Sequence, residues 1–295
     1  MFSEERKFCD WKLSGFNGVP ARLFDTIEST HSLMKSLAAA GEIPPGTLFV
    51  ADSQSAGRGR HERTWSSPAG KNLYFNILIP LDGIPLKNSP QITQVAALTF
   101  AEVFRQLQDD ANAQGLGNRD IGKVTVKWPN DILCGVSKFC GILAEVVYMS
   151  AKTAGSATTG NVPVISMGVG INVNSEASDY AHLGRAITTL KDITGQRINR
   201  EKLLQALVAS LERAVGQFRA FGISPWVSAW RKMDQFIGMR GTIVVNNHCT
   251  DENREGGTGV QKKTGRIADM RDDGSLLFEC DDGTVETVYS ADLEI

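Results

Sequence analysis

The alternation of apolar and polar positions along the chain predicts a sheet-rich protein. Apolar runs bounded by Pro and Gly at Thr47–Ala51 and Leu73–Ile79 are typical of strands in a largely buried sheet. A weaker run at Arg22–Ile27 indicates a short strand before them. Three further β-rich segments are expected to follow one another in the same sheet, namely Val124–Trp128, Phe139–Met149 and Val162–Asn174.

Two long segments show apolar residues at helical spacing. Between Gln91 and Gln108 they follow the i, i+3, i+4, i+7 pattern of an amphipathic helix, and a second stripe begins after Asn199. Asn199 is a suitable N-cap and Gly222 follows the last apolar position, so both ends of this helix are marked. Ser32–Ala40 is also helix-prone and precedes Gly41. We expect helices packed on a mixed sheet.

After Trp230 the pattern changes to short strands separated by turns. The dipeptides Asp273-Gly274 and Asp282-Gly283 are typical of tight hairpins. Strands are predicted at 241–245, 264–268, 275–279 and 284–289. This arrangement predicts a small β-barrel. The polar, glycine-bearing stretches 150–161 and 246–259 are expected to be flexible connections.

The composition is that of an ordinary globular protein. Of the 295 residues, 42% are hydrophobic and 22% are charged, which excludes a disordered, collagenous or coiled-coil chain. The formal charge of -2 provides no global basic field, so neither nucleic acid nor a membrane is an expected partner. No apolar run approaches the roughly 20 residues that span a bilayer. Five cysteines without a C-x-x-C pair are typical of neither a disulfide framework nor a zinc knuckle, which favours a reducing, cytoplasmic location.

The segment Asp52–Asn72 is the strongest candidate for chemistry. It is rich in glycine and in cations, which are Arg58, Arg60, Arg63 and Lys71. Glycine lets backbone N–H groups approach an anion, and arginine binds carboxylate or phosphate in a bidentate manner. Its local chemistry equally suits a solvated basic loop. Trp65 lies in the same segment, either available to stack on a ligand ring or folded back onto the protein.

A second group of polar residues follows the predicted strand 124–128. Lys127, Asn130 and Asp131 could hold phosphate and Mg²⁺, although an Asn-Asp turn between two strands is the alternative interpretation. Lys138 begins the next strand, either as a site residue or as a snorkelling lysine. Gly168-Val-Gly-Ile-Asn172 then allows close approach of the backbone to a ligand.

Other common catalytic motifs are absent from the sequence. The match of Gly117–Lys123 to a P-loop lacks the Ser or Thr that should follow, because Val124 stands there. No G-x-S-x-G elbow occurs, and the four histidines are scattered. The remaining cations, glycines and amides are suited to electrostatic stabilisation of phosphoryl-type chemistry.

Taken in order, these motifs resemble those of biotin protein ligases. The matching residues are Gly57-Arg-Gly-Arg60, Arg63-x-Trp65, Ser67-Pro68-x-Gly70-x-Asn72, Lys127-Trp-Pro-Asn-Asp131, Lys138-x-x-Gly141-Ile-Leu143 and Gly168-x-Gly-Ile-Asn172. The resemblance implies an α+β fold: a class II aminoacyl-tRNA synthetase-like catalytic domain at 22–235, with an SH3-like barrel at 236–295. Only a polar leader, 1–21, precedes this catalytic domain, so the resemblance is to the ligase-only class, without a DNA-binding domain.

The resemblance implies the ATP-dependent formation of biotinyl-5′-AMP, followed by transfer of biotin to a lysine of a carboxylase biotin carrier domain. ATP, Mg²⁺ and biotin are the expected small molecules. Arg60, Lys138 and Asp131 match the catalytic positions of the family, and Mg²⁺ would arrive with ATP and contact Asn130. The ATP-binding matches are Arg60, Arg63, Trp65, Asn72, Lys127, Asn130, Asp131, Lys138 and Asn172.

The biotin-binding matches lie earlier in the chain and around the same cations. They are Ser29, Thr30, His31, Gln54, Gly57, Arg58, Arg60, Lys138 and Gly141. His31 departs from the family, which usually has Asn after Ser-Thr. Two alternatives remain open: a lipoate–protein ligase, which shares the fold and the adenylation step, and a non-catalytic biotin-sensing regulatory protein.

Overall fold

The computed structural model describes residues 7–61, 63–153, 160–246 and 260–295. The predicted flexible stretch 246–259 lies almost wholly outside the described residues, and so does the middle of the stretch 150–161.

A seven-stranded mixed sheet forms the centre of the fold. Its strands have the spatial order β1-β2-β3-β7-β6-β5-β4. Only the β1–β2 pair among them is parallel. The strands are β1 (Arg22–Ile27), β2 (Leu48–Gln54), β3 (Leu73–Pro80), β4 (Val124–Lys127), β5 (Asp131–Cys134), β6 (Ser137–Ser150) and β7 (Asn161–Ile171).

Helices cover both faces of this sheet because strand side chains alternate between the faces. Leu48 and Val50 belong to the main core with the long helices, whereas Phe49 between them packs in a second core with α1. The α-helices are α1 (Thr30–Ala39), α2 (Ser89–Ala113), α3 (Leu190–Thr194), α4 (Arg200–Phe221) and α5 (Ser224–Met233). The predicted α+β arrangement of a mixed sheet flanked by helices is confirmed.

Helix α4 begins and ends where the sequence predicts. Asn199 is its N-cap, and its side chain accepts a hydrogen bond from the backbone N–H of Lys202 at 3.0 Å. Gly222 ends the helix with a φ of 63°, a conformation in which L side chains are strained.

A second, five-stranded antiparallel sheet follows in the order β11-β10-β9-β8-β12. In its predicted turns, Asp273 and Asp282 accept hydrogen bonds from the backbone N–H groups of Ser275 and Thr284. The strands are β8 (Arg240–Asn246), β9 (Val260–Met270), β10 (Leu276–Cys280), β11 (Val285–Val288) and β12 (Asp292–Glu294). This small sheet is consistent with the expected SH3-like domain, and the proposed domain boundaries stay a prediction.

The backbone of one glycine contributes to the contact between the second sheet and the rest of the fold. The carbonyl oxygen of Gly274 accepts from Gln94 Nε2 of α2 at 2.7 Å and from Trp128 Nε1 at 3.1 Å. Trp128 is 1% exposed, so the residue that follows β4 is buried where the two sheets meet.

The prediction that the segments after residue 124 are consecutive in the sheet was wrong in one respect. Strand β5 lies between β4 and β6, and Lys127 pairs with Asp131 in the β4–β5 hairpin. Four residues are too few for a clear period-2 pattern, so β5 was interpreted only as a turn or site segment. Strand β12 and helix α3 were missed for the same reason of length. Helix α5 has ten residues with Trp226, Trp230 and Met233 at helical spacing, and this pattern was overlooked. Among the described residues, no helix is both long and apolar enough to cross a membrane.

Candidate active site

A cavity of about 80 Å³ lies over the middle of the central sheet. We call it the ligand cavity. Its lining combines neutral polar groups beside Gly168 of β7, charged groups beside Gly141 of β6, and apolar residues of the strands. The neutral end has Ser29, Thr30, His31, Gln54 and Gly168; the apolar part has Phe75, Ile142, Leu143 and Val169; the charged end has Arg58, Arg60, Arg63, Asp131, Lys138 and Asp292.

The neutral end is built on the start of α1 and the end of β2. Ser29 caps α1, and its hydroxyl accepts from Ser32 N at 3.3 Å. Thr30 donates twice to Gln54 Oε1, from its backbone nitrogen at 2.9 Å and from its hydroxyl at 3.1 Å. Gln54 Nε2 in turn donates to Ser67 Oγ at 3.1 Å. The amide of Gln54 therefore connects the start of α1 to Ser67 of the segment Asp52–Asn72.

The charged end contains a close ion pair. Lys138 Nζ lies 2.6 Å from Asp131 Oδ1, and both side chains are about three-quarters buried. The two residues lie on the paired strands β5 and β6, where a register shift follows Ile132. The ammonium also lies 5.4 Å from the centre of the Trp65 ring. A positive group is thus held at a fixed place beside the indole.

The described residues 57–61 and 63–65 of the cationic segment form a hairpin over the cavity, which we call the cationic loop. Its ends are joined by the hydrogen bond from Trp65 N to Gly57 O at 2.8 Å. Its tip is closed by the bond from Gly59 N to Arg63 O at 2.7 Å. Arg60 is partly buried against the protein, whereas Arg58 and Arg63 are exposed, so the alternative of a solvated basic loop stays open for these two residues.

Arg60 reaches from this loop to the rest of the site. Its guanidinium donates to Asn130 Oδ1 and to Ala291 O, each at 3.2 Å, and lies 3.5 Å from Asp292 Oδ1. Burial lowers the pKa of Arg60, although Asp292 and Asp131 oppose that shift. An arginine keeps its charge even so. Arg63 also forms an ion pair with Asp292.

Trp65 separates the ligand cavity from a smaller one. A Cβ on Gly170 would lie 2.4 Å from Trp65 Cε2, and one on Gly141 would lie 2.9 Å from Cζ3, so both glycines make room for the indole. The indole is therefore folded onto the sheet in this structure. The smaller cavity, which we call the side cavity, is lined by Trp65, Ser66, Lys138, Asn172, Tyr180, Leu183, Arg185 and Ile187.

The ligand cavity brings together most of the residues predicted from the sequence. Trp65, Asn130 and Gly141 complete its predicted members, and Asn172 lies in the side cavity. Gly57 is at the base of the loop. Asn72 is 1% exposed and binds two tyrosine hydroxyls, Tyr74 and Tyr180, behind the side cavity.

Lys127 lines neither cavity. Its ammonium packs 5.6 Å from the centre of the Phe236 ring, and burial lowers its pKa. The side chain is directed there because Lys127 ends β4 beside the segment that follows α5, where Val126 bridges to Asp234. Its assignment to ATP stays a prediction that this packing does not support.

Two charged residues of the ligand cavity were missed by the sequence analysis. Asp292 comes from β12, and Arg185 follows the 3-10 helix Ala177–Leu183. Arg185 is brought in because the next residue, Ala186, accepts from Lys138 N at 3.1 Å. Neither belongs to a local motif, so no signal in the sequence alone would have identified them.

Within the described part of the chain, no cluster of three or more His, Cys, Asp or Glu side chains is arranged to hold a metal ion. The predicted Mg²⁺ contact at Asn130 faces a competitor, because Asn130 Oδ1 already accepts from the Arg60 cation at 3.2 Å. The residues that the structure describes therefore form no metal site of this kind.

Comparison with known proteins identifies the relatives of this chain. The model of the Biotin/lipoate A/B protein ligase family matches residues 23–161. The bifunctional ligase/repressor BirA of Bacillus spizizenii is 32% identical over 272 residues, covering 92% of this chain and 72% of that relative. The biotin--[acetyl-CoA-carboxylase] ligase of Mycobacterium tuberculosis is 25% identical, covering 87% of this chain and 82% of the relative.

Comparison with solved structures also finds biotin protein ligases. The structure of the biotin protein ligase from Aquifex aeolicus in complex with biotin and ATP superposes with a TM-score of 0.67 at 23% identity. The superposition covers 93% of this chain and 97% of that one, so the likeness includes the small C-terminal sheet. With the sequence matches to BirA over nearly the whole chain, this chain belongs to the biotin protein ligases of the biotin/lipoate A/B protein ligase family.

Proposed function

We propose that this protein is an ATP-dependent biotin protein ligase. It would join biotin to the α-phosphate of ATP, releasing pyrophosphate, and then transfer biotin from biotinyl-5′-AMP to the ε-amine of a lysine on a carboxylase biotin carrier domain. The observation that carries the proposal is the lining of the ligand cavity, which brings neutral donors and acceptors together with cations and apolar residues in one place.

Biotin has a neutral polar ring, an aliphatic chain and a carboxylate, which suit the neutral, apolar and cationic residues of the lining. Its ureido ring needs paired donors and acceptors, which Ser29, Thr30 and Gln54 supply at the neutral end. Its aliphatic chain would lie along the strands of the sheet, and its carboxylate would reach Arg60 and Lys138. Arg58 and the backbone of Gly57 would close the site from the cationic loop.

The first step requires two anions to approach each other. A biotin carboxylate and an α-phosphate repel, and Arg60 together with Lys138 would neutralise both in a site largely shielded from water. Charge builds up on the phosphate oxygens as the acyl–phosphate bond forms and pyrophosphate leaves. Cations that are already oriented stabilise that charge without reorganising.

The nucleotide would lie toward the side cavity. Trp65 and Asn172 line it, and Lys138 lines both cavities, so one lysine faces the place where biotin and nucleotide would meet. Arg63 would contact the phosphates after exchanging its pairing with Asp292. Mg²⁺ bound to the triphosphate would screen its charge, and the described part of the chain offers no separate cluster of ligands for it.

The second step needs a neutral amine. The acceptor lysine has a pKa near 10.4 in water and must lose a proton before it attacks the mixed anhydride. Of the two carboxylates at the charged end, Asp292 pairs with Arg60 and Arg63, and the proposal assigns Asp131 to receive that proton. The amine then forms the amide bond with the biotinyl carbonyl, and AMP leaves.

The test is an assay with labelled biotin, ATP and a biotin carrier domain that follows pyrophosphate release and label on the carrier. We expect both, with lipoate failing to compete. Competition by lipoate at equal concentration would support the lipoate–protein ligase alternative. Biotin binding without any pyrophosphate release would support the non-catalytic sensor instead.

A further inference from the structure

A buried histidine lies at the neutral end of the ligand cavity. His31 is the second residue of α1 and is 3% exposed. It follows Ser29 and Thr30, which hold the neutral end together, and it lines the same wall. A buried imidazole has two different nitrogens to satisfy, and this makes its partners informative.

The first nitrogen of the ring has a defined role. Ser166 Oγ donates to Asn76 Oδ1 at 3.1 Å, which orients the Asn76 amide so that its Nδ2 faces His31 Nδ1 at 2.9 Å. An amide nitrogen donates and cannot accept, so Nδ1 is the acceptor. The neutral ring therefore carries its hydrogen on Nε2.

The second nitrogen faces another strand. His31 Nε2 lies 3.5 Å from Glu145 Oε1 of β6. The same carboxylate pairs with Lys35, which lies one helical turn beyond His31 on the same face of α1. His31 and Lys35 lower the pKa of Glu145 to about 2, against the effect of its burial, so the carboxylate is ionised at neutral pH.

The backbone beside the ring is shaped to receive it. A Cβ on Gly168 of β7 would lie 3.2 Å from both His31 Nδ1 and Asn76 Nδ2. Any side chain there would push the imidazole and the amide away. The ring thus occupies a place prepared by β3, β6 and β7 together.

We propose that His31 is the positioning residue for the ring-binding end of the ligand cavity. Its Nδ1 joins the first turn of α1 to Asn76, and its Nε2 faces the carboxylate of Glu145, so Ser29 and Thr30 are held over Gln54. In an Asn side chain the amide oxygen and nitrogen are bonded to the same carbon. Asn at position 31 would therefore reach only one of the two partners, Asn76 of β3 or Glu145 of β6. This inference rests on the proposed function and specifies which residue governs the affinity for the biotin ring.

The test is biotin binding by calorimetry in the absence of ATP, together with steady-state kinetics. We expect His31→Asn to raise the Kd for biotin about tenfold. The kcat at saturating biotin and the KM for ATP should stay within about twofold, because the charged end is untouched. His31→Gln should recover part of the affinity, since its longer amide reaches further. His182→Asn, a change at an exposed histidine, is the matched control and should leave the Kd unchanged.

A double-variant cycle isolates the proposed contact with β6. Glu145→Gln should weaken biotin less than His31→Asn, and the two changes together should weaken it by less than the product of their separate effects. Glu145→Gln also provides the test if His31→Asn does not fold. Full additivity in the cycle would overturn the proposal.

The other outcomes are also decisive. An unchanged biotin Kd in folded His31→Asn overturns the inference, and so does an equal rise in biotin Kd and ATP KM, which would indicate general damage. Because binding is measured without ATP, a wild type that binds biotin but releases no pyrophosphate would refute the proposed function alone.

Discussion

Lys138 Nζ and Asp131 Oδ1 lie 2.6 Å apart across the paired strands β5 and β6. The carboxylate fixes the ammonium at the charged end of the ligand cavity before any substrate binds. It also places an acceptor for a proton next to the cation that would stabilise the adenylate. One ion pair thus serves both steps of the proposed reaction.

Loss of either central cation should slow adenylate formation. Lys138→Ala and Arg60→Ala are each expected to reduce the rate of pyrophosphate release by 10²–10³-fold, about 3–4 kcal/mol of barrier, the scale for one preorganised group. Single-turnover assays at saturating biotin and ATP measure this. Lys232→Ala, at an exposed lysine of α5, is the control. Near-normal turnover in either active-site variant would count against the assignment.

Removal of the indole should affect the nucleotide far more than biotin. Trp65→Ala is expected to weaken ATP binding by about 1–3 kcal/mol, by analogy with stacking of bases on aromatic side chains. The ring forms a wall of both cavities, but it lies against Gly141 and Gly170, whereas His31 of the neutral end lies against Gly168. Separate KM values for ATP and biotin measure the difference, and Trp65→Phe should lie between. A larger effect on biotin would place the indole against biotin instead.

The carboxylate of Asp292 should hold the cationic loop in place. Asp292→Asn removes the ion pairs with Arg60 and Arg63, and trypsin cleavage after the loop arginines is expected to rise about fivefold, equivalent to about 1 kcal/mol. Timed digestion with mass spectrometry measures it. Glu294→Gln is the matched control, because Glu294 lies on the same strand and pairs with Lys262. Equal cleavage of both variants would exclude this role for Asp292.

Asp234 should make stability fall between mildly acidic and neutral pH. Burial raises its pKa to about 6 from the ordinary 3.8, so the protonated form is the one favoured by folding. Its contribution is fully present below about pH 4 and is lost as the pH rises through about 6, on the order of 3 kcal/mol.

Urea unfolding at several pH values checks this behaviour. Asp234→Asn cannot ionise, so the difference in unfolding free energy between the variant and the wild type should shift in favour of the variant from pH 4 to pH 8. Asp82→Asn, at an exposed position, should show no such shift. Parallel curves for the wild type and Asp234→Asn would contradict the prediction.

The local features of the fold were predictable because each has a local cause. The stripe after Asn199, with a side-chain cap at one end and Gly222 at the other, specifies α4 without reference to the rest of the chain. The Asp-Gly turns specify the hairpins of the second sheet in the same way. Strand β5 has only four residues, and its pairing partners decide its conformation more than its own pattern does.

The residues of the candidate site likewise fall into two groups: those in local motifs, which the sequence predicts, and those that distant parts of the chain contribute. Residues in continuous motifs, such as Arg60 and Lys138, could be identified from their order and chemistry. Asp292 enters the ligand cavity from 229 residues beyond Arg63, and nothing near it in the sequence indicates this. The packing of Lys127 on Phe236 is equally non-local, since it depends on how the segment after α5 returns to β4.

The carbonyl of Gly274 accepts hydrogen bonds from both Gln94 and Trp128. These contacts limit which relatives could donate a C-terminal domain to this protein in a chimera. A Cβ at this position would lie 2.3 Å from Gln94 Oε1. In a chimera whose C-terminal part comes from a relative with another residue at this turn, the new side chain would therefore disturb both α2 and Trp128. Recombination between relatives should therefore succeed only when turn, glutamine and tryptophan are inherited as one unit.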